Sequence, residues 1–126
     1  MGHGYLIDSN AIIYFCNGKL PVNGKSFLSS IELKISIISN IELFAAKNIS
    51  EKEQLILKKI VAIANVYPVS AELVEATIHI RQQYRTKLPD AIIAATCLTY
   101  DLVLVTGNVN DFKSISGLKI VNPLTM

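Results

Sequence analysis

The sequence predicts an α/β fold in which strands and helices alternate along the chain. Short runs of apolar and β-branched residues recur between longer segments of good helix formers. Of the 126 residues, 51% are apolar and 17% are charged, a composition that excludes disorder. No apolar run approaches the roughly 18 to 20 uncharged residues that span a bilayer. We therefore expect residues 1–126 to form one domain with a sizeable core.

The first strand and the first helix are predicted on either side of Asp8. Residues 5–7 form a short apolar run that ends at Asp8 and predict a strand. Ser9 and Asn10 follow, and both residue types can cap a helix, here over residues 11–16. An acidic residue thus stands at the junction of a strand and a helix.

The next predicted elements are a short helix, a strand and two further helices. Turn residues precede a helix within residues 24–33, and the β-branched run 35–38 predicts a second strand that ends near Ser39. Ser39 and Ser50 each stand three residues before a glutamate, which is the spacing of a capping box. Each serine therefore predicts the start of a helix.

The second half of the chain repeats the alternation. Ser70 is expected to cap a helix. Pro89 favours the first turn of another, where Asp90 suits the positive end of the helix dipole and residues 91–98 are almost wholly apolar. The remaining strands are predicted at residues 65–69, 102–106 and 119–121.

Four carboxylates stand where a parallel sheet would gather them. Asp8 and Asp111 follow predicted strands, Glu42 lies about one helical turn after the second strand, and Asp90 opens a helix. Ligands of open α/β sheets bind beyond the carboxyl ends of the strands, so we expect these four side chains to share one pocket. The remaining aspartate, Asp101, has no such position.

Four acids in one pocket would raise their pKa values or require a cation, and a cation is the simpler remedy. Two like charges about 4 Å apart repel by roughly 4 kcal/mol at an effective dielectric constant of 20. All the candidate ligands are oxygen atoms, which suits Mg²⁺ or Mn²⁺ rather than zinc. Such ions activate water and stabilise the leaving oxygen in phosphodiester hydrolysis. Cys16, Cys97 and His79 stand apart in the sequence, and we expect reduced, buried thiols and a surface or boundary histidine.

The basic residues are few but unevenly placed. The net charge of +2 is too small to indicate a nucleic-acid-binding protein. Arg81, Arg85 and Lys87 nevertheless precede Asp90 and could hold a phosphate backbone. Each of them, taken alone, is also compatible with an ordinary solvated surface.

Each acid also has a purely structural explanation. Glu42 could serve only a capping box, Asp90 only the helix dipole, and Asp111 only a turn. Asp8 is harder to explain in this way, because an acid that ends a buried strand gains little without a partner. The occurrence of all four in this order favours a functional site.

With these motifs, the sequence resembles a PIN domain, specifically the small single-domain toxin ribonucleases of the VapC type. The resemblance spans nearly the whole chain, and it depends on the order of the motifs more than on any single one. The matching segments are residues 8–10 (Asp-Ser-Asn), 39–43, 88–95, 105–112 and 121–123.

The resemblance implies a three-layer sandwich with a five-stranded parallel sheet flanked by helices. It also implies a Mg²⁺- or Mn²⁺-dependent endoribonuclease with RNA as substrate, which a cognate antitoxin inhibits and which forms a homodimer. By this analogy Asp8, Asp90 and Asp111 are the principal ion ligands, and Glu42 orients the attacking water. The implied supporting residues are Ser9, Asn10, Thr106 and Asn108.

Two positions depart from the family pattern, and other functions stay open. Gly107 stands where many relatives carry a basic residue, so one substrate contact of the family is not expected here. Asn108 stands where others carry an acid, which indicates a weaker second metal site, so one bound ion is expected rather than two. Alternatives are a PIN nuclease of housekeeping RNA processing, or a non-catalytic interaction module such as a phosphorylation receiver or an inactive PIN domain. Residues 1–4 lack the basic segment of a secretory signal, so a cytoplasmic location is expected.

Overall fold

The computed structural model describes residues 4–126 and contains one five-stranded sheet. The strands are β1 (Tyr5–Ile7), β2 (Lys34–Ser36), β3 (Asn65–Tyr67), β4 (Val103–Val105) and β5 (Ile120–Val121). All neighbouring strands are parallel, and their order is β3-β2-β1-β4-β5. The predicted α/β fold with five parallel strands is confirmed.

Within the described residues, six helices flank this sheet. They are α1 (Ser9–Cys16), α2 (Val22–Ser30), α3 (Ile37–Ala45), α4 (Glu51–Ile63), α5 (Ala71–Gln83) and α6 (Leu88–Tyr100). Two short 3₁₀ helices, Val109–Asp111 and Pro123–Thr125, follow β4 and β5. None of the helices in residues 4–126 has the length and apolar character needed to cross a bilayer. The expectation about a secretory signal concerns residues 1–4, of which 1–3 lie outside the described part of the chain.

The core has two halves, one on each face of the sheet. Successive side chains of a strand point to opposite faces. Leu6 and Leu104 therefore pack in the half that α5 and α6 cover, whereas Ile7 and Val105 pack in the half that α1 to α4 cover. This arrangement is the three-layer sandwich that the resemblance implied.

The start of α3 differs from the prediction. β2 ends at Ser36, and the Ser36 hydroxyl accepts a 3.1 Å hydrogen bond from the backbone N–H of Ile38, so Ser36 is the cap. Ile37 and Ile38 lie in the first turn of the helix, although their β-branched character favoured a strand. The predicted capping box at Ser39 is wrong: Ser39 is buried, and its hydroxyl has no hydrogen-bond partner in the described chain.

Two other predicted caps, Ser50 and Ser70, are confirmed, and the helices α2 and α6 begin slightly earlier than predicted. Ser50 accepts from the backbone N–H of Glu53 at 3.1 Å, and Ser70 accepts from that of Leu73 at 3.2 Å. The helix predicted within residues 24–33 begins earlier, at Val22. Pro89 occupies the second rather than the first position of α6, which suits it equally because the N–H groups of the first turn have no helical partner.

Asp101, which the sequence left without a role, ends α6 in the left-handed conformation with a φ of 55°. It precedes β4 and therefore lies at the amino-terminal edge of the sheet. The carboxyl ends of the central strands β1 and β4 lie at the opposite edge. That edge carries the candidate site.

Candidate functional site

Asp8 follows the central strand β1 and is 5% exposed. It, and not Ser9 or Asn10, is the N-cap of α1, because its Oδ1 accepts a 2.9 Å hydrogen bond from the backbone N–H of Ser9. Its Oδ2 accepts from the hydroxyl of Thr106 at 2.9 Å and from Asn10 Nδ2 at 3.3 Å. Hydrogen bonds from residues that follow the neighbouring strands β1 and β4 thus hold the carboxylate in place.

Thr106 and Asn10 join the loop after β4 to the start of α1. The fully buried hydroxyl of Thr106 also accepts from Asn10 Nδ2 at 3.1 Å and from the backbone N–H of Asn108 at 3.0 Å. Asn10 Oδ1 in turn accepts from the backbone N–H of Gly107 at 2.9 Å. The three predicted supporting residues Asn10, Thr106 and Asn108 therefore lie together beside Asp8.

Burial raises the pKa of Asp8 from 3.8 to about 6. The hydrogen bonds from Thr106 and from the Ser9 backbone oppose this shift, because they stabilise the charged form. The negative charges of Glu42 and Asp90 add to it. The raised pKa of Asp8 therefore reflects, in part, the nearby charges of Glu42 and Asp90, which are distant from it in sequence.

Glu42 lies in the second turn of α3 and is exposed. Its Oε1 accepts a 3.2 Å hydrogen bond from the hydroxyl of Ser9. Ser9 is thus the fourth supporting residue that the structure places at the site, and it connects the helix of Asp8 to the helix of Glu42.

Asp90 lies half-buried in the first turn of α6. Burial raises its pKa first, and the charges of Asp111 and Glu42 raise it further, while Lys87 lowers it. Asp111 ends the 3₁₀ helix after β4 and is exposed, and the fully buried ring of the next residue, Phe112, anchors this loop in the core. All four acids therefore lie at one edge of the sheet.

The candidate ligands suit a hard divalent cation, because every one of them is a carboxylate oxygen. Within residues 4–126, however, no three side chains of Asp, Glu, His or Cys close on a common point that could hold an ion. Glu42 and Asp111 are exposed, and such side chains rotate at little cost. Burial, and to a smaller extent the neighbouring acids, disfavour the charged forms of Asp8 and Asp90 and raise their pKa values, and a bound cation would offset both effects.

Three basic side chains were predicted near Asp90, and the structure places all three on the surface. Arg81 lies in the last turn of α5, while Arg85 and Lys87 lie in the connection to α6. Of these, only Lys87 lowers the pKa of Asp90.

The thiols and the histidine offer no further chemistry at the site. Cys97 is buried in α6, and burial raises its pKa, with a smaller contribution from the charge of Asp8. Cys16 is only half-buried, contrary to the expectation, and both thiols are free. His79 is exposed, as predicted for a surface residue.

Sequence reasoning missed the residues that cover the last loop. A Cβ atom on Gly107 would lie 2.9 Å from Leu124 Cδ1 and 3.3 Å from Tyr14 Cε2. Leu124 belongs to the 3₁₀ helix after β5, whose Pro123 packs against Gly24 of α2. The only sequence signal was a proline soon after the last strand, which indicates that the strand ends but not where the chain goes next.

The described chain also has an apolar cavity of about 340 Å³ that none of the four candidate acids lines. Its lining includes Ile12, Phe15, Leu28 and Ile60 from α1, α2 and α4. None of the predicted site residues contributes to it.

Comparisons with known proteins agree on the architecture. The PIN domain matches residues 5–118. A protein of Rickettsia felis named Ribonuclease VapC1 is 27% identical over 128 residues, which cover 94% of this chain and 95% of that protein. A toxin-antitoxin complex from Klebsiella pneumoniae contains a chain with 31% identity and a TM-score of 0.77, covering 94% of this chain and 97% of that one. A chain of the DNA-bound VapBC from Salmonella typhimurium has a TM-score of 0.78 at 22% identity, with 94% and 97% covered, and shows the fold alone.

Proposed function

The chain belongs to the PIN-domain family, and from this premise we propose that it is a divalent-metal-dependent endoribonuclease, the toxin of a toxin–antitoxin pair. The observation that carries the proposal is the state of Asp8. It is a buried carboxylate at the end of the central strand, and its pKa is raised to about 6 in the presence of Glu42 and Asp90. A purely structural cap gains nothing from such surroundings.

The roles follow from burial and contacts. Asp8 and Asp90 have raised pKa values, so they gain most from a cation, and with Asp111 they would hold Mg²⁺ or Mn²⁺. The bound ion supplies Lewis-acid chemistry, by lowering the pKa of a water and by polarising the phosphoryl group. Glu42 is held by Ser9, and its exposed carboxylate can orient the attacking water.

Other residues position these groups or the substrate. Thr106 and Asn10 fix the carboxylate plane of Asp8 through hydrogen bonds to Oδ2. Arg81, Arg85 and Lys87 are exposed and precede Asp90 in the chain, and they would hold the phosphates of the RNA. We propose that residues 1–126 act as one nuclease domain, in the cytoplasm, where free thiols such as Cys16 and Cys97 are typical.

The test is cleavage of a mixed RNA pool by the purified protein, with Mg²⁺, with Mn²⁺ and with EDTA. We expect metal-dependent internal cleavage that falls at least 100-fold in Asp8→Asn, an isosteric change that removes one ligand charge. Asp101→Asn is the matched control, because it also removes one aspartate charge, lies at the opposite edge of the sheet, and keeps a residue type that tolerates a positive φ. Cleavage that survives chelation, or equal loss in both variants, would contradict the assignment.

Toxicity is tested separately, by expression in a bacterial host. The Klebsiella pneumoniae structure is a toxin-antitoxin complex, which supports a toxin with an antitoxin, and the name of the Rickettsia felis relative supports a ribonuclease. We expect growth arrest on expression of the wild type, no arrest with Asp8→Asn, and relief by a coexpressed antitoxin. RNA cleavage without growth arrest would instead indicate a housekeeping nuclease.

We also propose a homodimer. Apolar side chains on α3 and α5 are exposed in the single chain, namely Ile41, Phe44, Val74 and Ile78. Sedimentation equilibrium of the purified protein decides this point, since a monomer at micromolar concentration would exclude a stable dimer.

A further inference from the structure

A polar cavity of about 460 Å³ opens beside Asp111. It lies between the loop after β4 and the residue that follows β5, and its volume is within the range of roughly 300 to 1,000 Å³ that is usual for small-ligand pockets. Its wall is formed by Gly107, Asn108, Val109, Asn110, Asp111 and Asn122. Three of these six residues are asparagines, and none is a lysine or an arginine.

The amide groups on this wall are largely unused by the protein. Asn108 precedes a 3₁₀ helix, where an asparagine often caps, yet its side chain makes no capping hydrogen bond. Within residues 4–126, the side-chain amides of Asn108 and Asn110 have no hydrogen-bond partner. Asn122 accepts from the Leu124 N–H with Oδ1 at 2.9 Å, which leaves its Nδ2 to donate elsewhere. Asn10 differs, because both Nδ2 and Oδ1 of its side-chain amide make hydrogen bonds within the protein.

The backbone around the cavity is held in place. The N–H of Asn108 donates to Thr106, and the N–H of Asp111 donates to the Asn108 carbonyl at 3.1 Å. On the other side, the Thr106 N–H donates to the Val121 carbonyl at 3.1 Å, next to Asn122. Because the backbone is fixed, only the side-chain amides have to be ordered when a ligand binds, which limits the conformational entropy lost.

The charge on the wall decides which part of an RNA fits. A phosphate group would meet no lysine or arginine on this wall and would face the carboxylate of Asp111, so the wall itself favours a neutral group. A nucleobase is neutral and presents hydrogen-bond donors and acceptors side by side. An asparagine amide pairs with the adjacent donor and acceptor of adenine, and unpaired RNA bases are read by such edge contacts.

We propose that Asn108, Asn110 and Asn122 bind an unpaired adenine base next to the cleaved phosphate. The inference rests on the proposed nuclease function and adds a base preference to it. Asp111 lines the cavity and is also a proposed ion ligand, so a base bound there lies beside the reacting phosphate. The contacts select where the RNA is cut, whereas the acids act on the bond itself.

The experiment is cleavage of a random-sequence single-stranded RNA pool, followed by sequencing of the fragment ends. We expect adenine to be enriched at one fixed position beside the cut by the wild type. Asn110→Ala should reduce this enrichment roughly tenfold, as expected for the loss of one bidentate base contact. Asn110→Gln should retain part of it, because the amide is kept. Asn48→Ala is the matched control, since Asn48 is exposed in the connection between α3 and α4.

A binding measurement separates this inference from the nuclease proposal. Fluorescence anisotropy in EDTA compares labelled oligoadenylate with oligouridylate, and we expect at least fivefold tighter binding of oligoadenylate, lost in Asn110→Ala. If the protein binds selectively but cleaves nothing, the nuclease proposal fails and the base site stands. If it cleaves without adenine preference, or if Asn108→Ala and Asn110→Ala both keep the preference, the base site is overturned and the nuclease stands.

Discussion

The hydroxyl of Thr106 donates a 2.9 Å hydrogen bond to Asp8 Oδ2 and accepts two further hydrogen bonds, from Asn10 Nδ2 and from the Asn108 N–H. One buried oxygen atom therefore connects the carboxylate after β1 to the loop after β4. Removing it would leave the Asp8 carboxylate with one donor fewer and the Asn108 N–H without its acceptor, while Asn10 Nδ2 would keep only its hydrogen bond to Asp8 Oδ2. The geometry of Asp8 depends on this single side chain.

Thr106→Val should destabilise the protein by about 2 kcal/mol, because hydrogen bonds to charged groups contribute roughly 1.5 to 3 kcal/mol. Urea unfolding at pH 7.5 measures the change. Thr96→Val is the control, because Thr96 is equally buried but its hydroxyl bonds only the Ile92 carbonyl of its own helix. Equal losses in the two variants would mean that Thr106 contributes only its packing.

The stability of the metal-free protein should fall as the pH rises from about 4 to about 6. The pKa of Asp8 is raised from 3.8 to about 6, so in this range the folded state binds more protons than the unfolded state. By linkage, the free energy of unfolding then decreases with pH, by about 3 kcal/mol for a shift of about two pKa units. Asp90, whose pKa is also raised, acts in the same direction.

Asp8→Asn tests this origin of the pH dependence, because the neutral amide resembles the protonated acid. Urea unfolding in EDTA at several pH values should show a flatter profile for the variant and a higher stability than wild type at pH 7.5. Asp101→Asn should keep the wild-type profile. A variant of Asp8 that follows the wild-type curve would show that another group titrates.

Divalent ions should stabilise the folded protein at neutral pH. A ligand that binds only the folded state at about 100 times its Kd adds roughly 2.7 kcal/mol, which shifts the Tm by several degrees in a protein of this size. We expect Mn²⁺ or Mg²⁺ to raise the Tm of wild type and of Asp101→Asn, but not of Asp8→Asn or Asp90→Asn. KCl at matched ionic strength controls for screening, and an equal shift in all four proteins would argue against a site at these acids.

Arg85→Ala and Lys87→Ala should each weaken RNA binding and flatten its dependence on salt. Each lost phosphate contact reduces the slope of log K against log salt by about 1. Anisotropy titrations over a range of KCl concentrations, in EDTA, give this slope. Lys58→Ala removes an exposed charge on α4 and should leave the slope unchanged. If all three variants behave alike, the basic residues near Asp90 are only surface charge.

The strands and the order of the four acids could be predicted because both are recorded in local patterns. Residues 103–105, for example, are all apolar, as expected for a parallel strand that is buried on both faces of the sheet. Asp8 could be recognised as unusual because a buried strand that ends in an acid has few structural explanations.

Other features could not be predicted, because they depend on contacts that are distant in sequence. Ser36 and Ser39 are both compatible with a helix start, and the packing of Ile38 against the core beneath α6 decides between them. The approach of Leu124 to Gly107 depends on where the chain turns after β5. The unused amides of Asn108 and Asn110 could be identified only once their surroundings were known.

The hydrogen bond between Asp8 and Thr106 joins residues separated by 98 positions. A ribosome makes the chain from its first residue onward, at roughly 5 to 20 residues per second. Asp8 therefore leaves the ribosome long before Thr106 and Asp111 exist, and for most of synthesis the nascent chain lacks half of its site. If the proposed nuclease activity holds, the protein is thus made beside ribosomal RNA in a form that still lacks two of the four acids proposed to cut RNA.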